Sequence, residues 1–243
     1  MGTDGQRAAA DFEQMARVYA DDADENPTNV WYERPAMLAM AGDVRGRRVL
    51  DVGSAAGGLA AELVARGAEV IGIDVSPSLI EIARHRLGAR ATFHVADLSE
   101  PLTFLADASI DVITASLVLH YVRDWAPPLR EFRRVLAPDG VLLVSTHHPS
   151  QDVTLLDPPA PYFSTTLITD TWRKGGGDYR VRFYHRPLSA IVDALADAGF
   201  VIERIPEPVP DVRRFPNSAR FAETLGRVPW FLFIRAVPDC RKR

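Results

Sequence analysis

The residues best placed to do chemistry form one short run, Asp51-Val52-Gly53-Ser54-Ala55-Ala56-Gly57-Gly58, with two later acids, Asp74 and Asp97. A carboxylate ahead of a glycine-rich turn offers a ligand negative charge and bare backbone, because no Cβ blocks close approach. The turn approximates the G-x-G-x-x-G pattern that cradles a pyrophosphate, with Gly53 and Gly58 in place and Ala55 where the middle glycine belongs. A methyl group there crowds a phosphate, and Asp51 repels one. The run suits a cationic ligand without phosphate better than a dinucleotide. A nicotinamide-dependent oxidoreductase is the competing reading, against which Ala55 and Asp51 both count.

These residues need a scaffold, and the pattern around them supplies one. Arg48–Val52 is a short apolar strand feeding the turn, and residues 59–65 have helical apolar spacing closed by Gly67. Glu69–Asp74 reads as a second strand, Pro77–Leu87 as a helix and 92–96 as a third strand reaching Asp97. Ile110–Ser116 is a fourth strand, 125–136 a helix, and Pro138-Asp139-Gly140 a turn into a fifth strand at 141–146. An amphipathic helix at 188–198 precedes a sixth strand at 200–205, and 230–237 is a seventh, antiparallel at or near the sheet edge. Such alternation predicts a doubly wound α/β fold with a mostly parallel sheet covered on both faces. Three acids at the carboxyl ends of successive strands then line one crevice, where open α/β sheets bind ligands.

Outside that rhythm, residues 1–11 read as a loose terminus, and 12–19 and 31–41 as helices. The acidic run Asp21-Asp22-Ala23-Asp24-Glu25 reads as a solvated loop or helix end. Segment 149–185 breaks the pattern. Its prolines oppose a continuing helix, and 167–172 with 179–184 flank Lys174-Gly175-Gly176-Gly177-Asp178 as a β-hairpin. The expected organisation is one structural domain: a helical cap over 1–46, then 47–243 with a lid-like insertion at 149–185.

With these motifs in order, the sequence resembles the class I S-adenosylmethionine-dependent methyltransferases, particularly small-molecule enzymes of the ubiquinone/menaquinone-methyltransferase type. The family's D/E-x-G-x-G-x-G motif matches Asp51, Gly53 and Gly57, with Ala55 as the departure. Its second motif matches Gly72-Ile73-Asp74-Val75-Ser76 with Leu79, its third Val95-Ala96-Asp97-Leu98, and its later pattern Leu119-His120-Tyr121-Val122 and residues 132–140. The resemblance implies a Rossmann-like seven-stranded sheet and S-adenosyl-L-methionine as cofactor. It puts Gly53, Ser54 and Ala55 on the methionyl part and Asp74 on the ribose hydroxyls. Asp97 falls on the adenine amino group, with Val75 and Leu98 around the ring and Leu79, Ala96 and Leu117 in the same site. Ser116 offers its carbonyl to the ammonium, and Asp51 orients the turn. Tyr19 and Tyr32 lie in helices that cover the cofactor in similar enzymes, or else pack in the core.

The methyl of a sulfonium is already electrophilic, so a base is needed only where the acceptor holds its proton tightly. His120 after the fourth strand, and His147 and His148 after the fifth, border the expected methyl site, and an imidazole titrates in the right range. A histidine at a strand end can also simply bond a loop carbonyl, and His148 ahead of Pro149 can fix the chain's exit. Tyr162, Phe163, Trp172 and Tyr179 of the insertion offer aromatic surface to a ring-containing acceptor; a homodimer contact is the alternative role of that hairpin. With 243 residues and a net charge of −4, the chain lacks the basic excess expected for nucleic acid or an anionic membrane. One cysteine, Cys240, precludes an internal disulfide or a cysteine-based metal cluster, and no metal is expected. The most apolar stretches, 110–119 and 230–237, are too short to span a bilayer, so the expectation is a cytoplasmic enzyme with a small-molecule acceptor. A relative that binds the cofactor without transferring methyl is the remaining alternative.

Overall fold

A computed structural model describes residues 3–155, 158–159, 161–215 and 224–241. Its strands are β1 (Arg48–Val52), β2 (Glu69–Asp74), β3 (Ala91–Val95), β4 (Ile110–Ser116), β5 (Leu136–His147), β6 (Thr166–Lys174), β7 (Gly177–His185), β8 (Phe200–Arg204) and β9 (Phe231–Pro238). Seven of them form one sheet in the order β3-β2-β1-β4-β5-β9-β8, and β6 pairs with β7 alone. The neighbours from β3 to β5 run parallel, while β9 lies antiparallel between β5 and β8. The chain order reverses at β1, which pairs with β2 on one side and β4 on the other. That reversal opens the crevice in which such sheets hold ligands.

Strand periodicity divides the core. Val49 joins a cluster beneath α3 (Arg34–Ala41), α4 (Gly58–Ala65) and α5 (Pro77–Leu87), whereas Leu50 joins one beneath α6 (Ala126–Val135) and α8 (Leu188–Asp197). Both residues are fully buried, as near-continuous apolar runs in a two-sided sheet require.

Two local expectations are corrected. The supposedly loose N-terminus is helix α1 (Asp4–Glu13), because Thr3 caps the Gln6 N–H while the Gln6 side chain returns to the Thr3 N–H. The acidic run, by contrast, is the helix end expected of it, that of α2 (Ala16–Glu25), where Asp22 pairs with Lys174 and Asp24 with Arg86. Pro138-Asp139-Gly140 does not precede β5 but lies within it. The register jumps from Ile110↔Leu136 to Val112↔Val141, so the irregular step absorbs those residues.

The β6–β7 hairpin turns at Gly175 and Gly176, both with positive φ, as a tight two-residue turn demands. It is tied to the N-terminal helices by side chains. Arg182 grips the buried Asp11 carboxylate with Nε at 3.0 Å and Nη2 at 2.6 Å, and Arg7 donates to the Tyr184 hydroxyl at 2.7 Å. Glu13 in turn accepts from Ser76 and Ser78 at the start of α5, which fastens the assembly to the sheet. Among the described residues, no helix is long and apolar enough to cross a membrane.

Candidate active site

The β1–α4 turn is wound tightly over the carboxyl edge of the sheet. Gly53, Ala55 and Gly57 all take positive φ, and a Cβ on Gly53 would lie 2.6 Å from the Val118 side chain. Asp74 ends β2 and fastens this turn: its Oδ2 accepts the Ala55 N–H and its Oδ1 the Ser76 N–H, each at 2.9 Å. Burial raises the Asp74 carboxyl to about 6 despite those bonds. Asp97 accepts from the Ser99 N–H and hydroxyl, and Gly5 of α1 packs so closely on its carboxylate that any Cβ there would overlap it. One crevice is walled by Gly53, Ala55, Asp74, Val75, Leu79, Ala96, Asp97, Leu98, Ser116 and Leu117, and α1 roofs it with Gly5, Ala8 and Phe12.

A polar recess continues from the turn, lined by Asp51, Ser54, Glu33, Arg34 and Asp24. Asp51 is 1% exposed; Thr114 donates to its Oδ1 at 2.8 Å, while its Oδ2 is buried with no partner. Burial pushes its carboxyl up to about 7. Glu33 Oε1 accepts from Ser116 at 2.7 Å and Ser145 at 2.5 Å, and burial raises this carboxyl too. Ser54 Oγ is likewise buried and unpartnered. Acids beside Arg34 complement a zwitterion, and the orphaned Asp51 Oδ2 is the acceptor an ammonium would satisfy. A pyrophosphate would instead meet Asp51, Glu33 and Asp74 together. The residues therefore fit S-adenosylmethionine and not a dinucleotide.

A third space, a cavity of about 680 Å³, lies under the hairpin and is lined in part by His120, His147, Asp170, Trp172, Phe183 and Phe231. Tyr19 and Leu117 wall all three spaces, so the crevice, the recess and the cavity converge at that pair. His120 and His147 stack with ring centroids 4.1 Å apart at 18°. His120 is 2% exposed, and burial, with His147 and Arg186 nearby, holds it well below the usual imidazole range. It is neutral at physiological pH.

Two candidates from the sequence lie elsewhere. Tyr32 packs in the core against Phe231 and Phe233, because the π-helical turn Asn29–Glu33 points Glu33 and not Tyr32 toward the sheet edge. His148 caps the short helix α7 (Pro149–Asp152) through the Ser150 N–H and is not among the cavity walls. Of the insertion aromatics, Trp172 lines the cavity, whereas Phe163 is 89% exposed and Tyr162 packs on His185. Sequence reasoning missed Glu33, Arg34 and Asp152. Their only signal was charge inside apolar helical spacing or in a proline-flanked loop.

The comparisons agree with this geometry. Residues 50–144 match the family model described as "Methyltransferase domain". An uncharacterized protein of Haemophilus influenzae is 28% identical over 223 residues, covering 84% of this chain and 86% of its own. The trans-aconitate 2-methyltransferase of Methylobacterium radiotolerans is 39% identical over 189 residues, 76% of this chain and 66% of that protein. Against two other curated methyltransferases the chain spans 41% and 56% of their length. The crystal structure of an S-adenosylmethionine-dependent methyltransferase from Mesorhizobium loti superposes with a TM-score of 0.68 at 29% identity, covering 84% of this chain and 96% of that one. Sheet order, crevice and similarity define a methyltransferase domain of the Rossmann-like type. The chain belongs to the S-adenosylmethionine-dependent methyltransferases, with S-adenosylmethionine as its cofactor.

Proposed function

We propose that the enzyme methylates O, N or C of a small, ring-containing molecule held in the cavity beneath the hairpin. The observation carrying this reading is the convergence of the crevice, the recess and the 680 Å³ cavity at Tyr19 and Leu117. Asp74 receives the ribose hydroxyls, Asp97 the adenine amino group, and Val75 and Leu98 the faces of the ring. Asp51 and Glu33 attract the ammonium while Arg34 balances the carboxylate. The cofactor, when bound, supplies an electrophilic methyl group. The protein's share is alignment and exclusion of water. The cap over 1–46 and the insertion at 149–185 act as a joint lid, because Asp11–Arg182 and Asp22–Lys174 make them one layer.

The charge of the cavity narrows the acceptor. Asp22, Asp152 and Asp170 outnumber Arg173 and Lys174 among its walls, and the two cations are already paired with Asp22 and Asp178. A neutral acceptor suits such a wall better than the carboxylate substrate in the name of the Methylobacterium relative. Titration calorimetry with S-adenosylhomocysteine, followed by turnover of a panel of phenols, amines and carboxylates, tests the reading. Binding of the product and methylation of a ring compound are expected. Folded protein that does not bind S-adenosylhomocysteine would sink it.

A further inference from the structure

One wall of the cavity holds titratable groups that cofactor binding does not use. His147 ends β5, and the short turn of α7 returns Asp152 to it. Asp152 is 4% exposed; its Oδ1 lies 3.2 Å from His147 Nδ1, and its Oδ2 lies 3.8 Å from His185 Nδ1 at the end of β7. His185 Nε2 sits 2.9 Å from the Tyr162 carbonyl, which anchors that imidazole from behind. His147 Nδ1 is buried without an aligned hydrogen bond. Catalytic hydrogen bonds are often long or misaligned until substrate arrives, so 3.2 Å is within working range.

We propose that Asp152 positions His147 as the proton acceptor of the transfer, and that the methyl acceptor is therefore a hydroxyl that must lose its proton, a phenol or enol. Asp152 fixes the tautomer with hydrogen on Nδ1, which leaves Nε2 basic toward the cavity. The acceptor's O–H bond breaks and its proton passes to His147 Nε2. The oxygen's electron pair forms the new O–C bond, and the C–S bond breaks with its pair remaining on sulfur as a neutral thioether. His147 then returns its proton to solvent. Asp152 offsets the positive charge that His147 carries meanwhile. Burial opposes charge on Asp152, yet His147 and His185 hold its carboxyl below the ordinary range, so it is ionised at neutral pH.

Other titratable groups around this pair are held elsewhere or driven out of range, His148 beside Asp152 being drawn below the ordinary imidazole range chiefly by burial. His120 stacks on His147 but is neutral, and Arg186 is spent on the Val122 and Arg123 carbonyls. Asp170 accepts from the Trp172 indole, Asp22 and Lys174 neutralise each other, and Arg173 pairs with Asp178. The Tyr19 and Tyr121 hydroxyls are driven above the ordinary phenol range, chiefly by burial, and do not compete as bases. A carboxylate acceptor would arrive ionised and need no base, and the cations that line the cavity, Arg173 and Lys174, are already paired.

The inference rests on the methyltransferase reading, so the test separates the two. Nitrogen-15 NMR of imidazoles in the full chain bound to S-adenosylhomocysteine should show His147 protonated on Nδ1. Asp152→Asn should switch that tautomer. With phenols as probes, His147→Gln should lower kcat about 100-fold or more while product binding is unchanged. Asp152→Asn should move the acid limb of the kcat/KM profile to lower pH. A wild-type proton on Nε2 overturns the proposal, even if Asp152→Asn does not fold. Turnover of carboxylates or amines that His147→Gln leaves intact overturns it too. Failure to bind S-adenosylhomocysteine overturns instead the reading beneath it.

Discussion

Asp74 Oδ2 accepts the backbone N–H of Ala55 at 2.9 Å, so the carboxylate expected to hold the ribose also holds the turn beside it. With Ser76 on the other oxygen, each oxygen keeps a lone pair for a sugar hydroxyl. Asp74→Ala should therefore weaken S-adenosylhomocysteine binding by roughly 1.5–3 kcal/mol for each charge-assisted hydrogen bond lost. Calorimetry at neutral pH measures this; an unchanged Kd would mean the ribose lies elsewhere.

The same carboxyl gives binding a pH dependence with a definite sign. Its value is raised to about 6, chiefly by burial, and the ionised form is the better acceptor. Affinity for S-adenosylhomocysteine should fall as pH drops through about 7, where Asp51 takes up its proton, and further through about 6, where Asp74 does. Asp74→Asn should remove the lower step and leave the upper one, and calorimetry from pH 5 to 8 on both proteins decides it.

Asp51 makes the opposite demand on stability. Its folded carboxyl, at about 7, holds a proton more tightly than the unfolded one near 3.8. The folded state thus binds more protons between those values, and this group's contribution to stability is lost as pH rises from about 4 to about 7. Asp51→Asn keeps an oxygen for Thr114 and removes the buried charge, so it should flatten that slope. The ligand-free protein should gain on the order of 1 kcal/mol at pH 8, part of the relief being offset by an unpartnered amide N–H. Binding of the cofactor should weaken at the same time. Thermal melts at pH 5 and 8, with and without S-adenosylhomocysteine, check both halves.

The sheet and the crevice were legible because short, near-continuous apolar runs and strand-end acids are local signals, and Asp51, Asp74 and Asp97 sit where those signals put them. The recess was not. Glu33 ends a π-helical turn and Arg34 follows it as the first residue of α3; the π turn shifts the residues facing the sheet by one position from an ordinary helix and exchanges Tyr32 for Glu33. Asp152 was hidden for a different reason. Its relation to His147 is local, but its relation to His185 crosses the whole hairpin and leaves no spacing to read. Helix α1 was not legible because its Thr-x-x-Gln capping box lies in a polar stretch with little apolar spacing, and the burial of Asp11 depends on the distant Arg182.

Two non-glycine residues of the site take left-handed backbone, Ala55 at φ 46° and Leu117 at φ 45°, and glycine at each should behave differently. Left-handed geometry costs an L-residue roughly 1–2 kcal/mol, while glycine's extra unfolded-state freedom returns about 0.5–1 kcal/mol of that. Ala55→Gly should raise stability by up to about 1 kcal/mol and leave cofactor binding intact, since its contribution to Asp74 is made by the backbone N–H. Leu117→Gly gains the same relief, but its side chain is a shared wall of crevice, recess and cavity. Its N–H is held by the Ser145 carbonyl at 3.1 Å and the Ser145 hydroxyl at 3.0 Å, and that hydroxyl donates onward to Glu33. The strain is thus maintained by a network that ends in the recess, as strained residues at functional sites commonly are. Leu117→Gly should therefore melt somewhat below wild type, because the side chain's packing on the core is lost along with the strain, while kcat measured where the variant is folded falls at least tenfold, because a misplaced acceptor is costly even when folding is intact. A variant as active as wild type would show that Leu117 does not position the transfer.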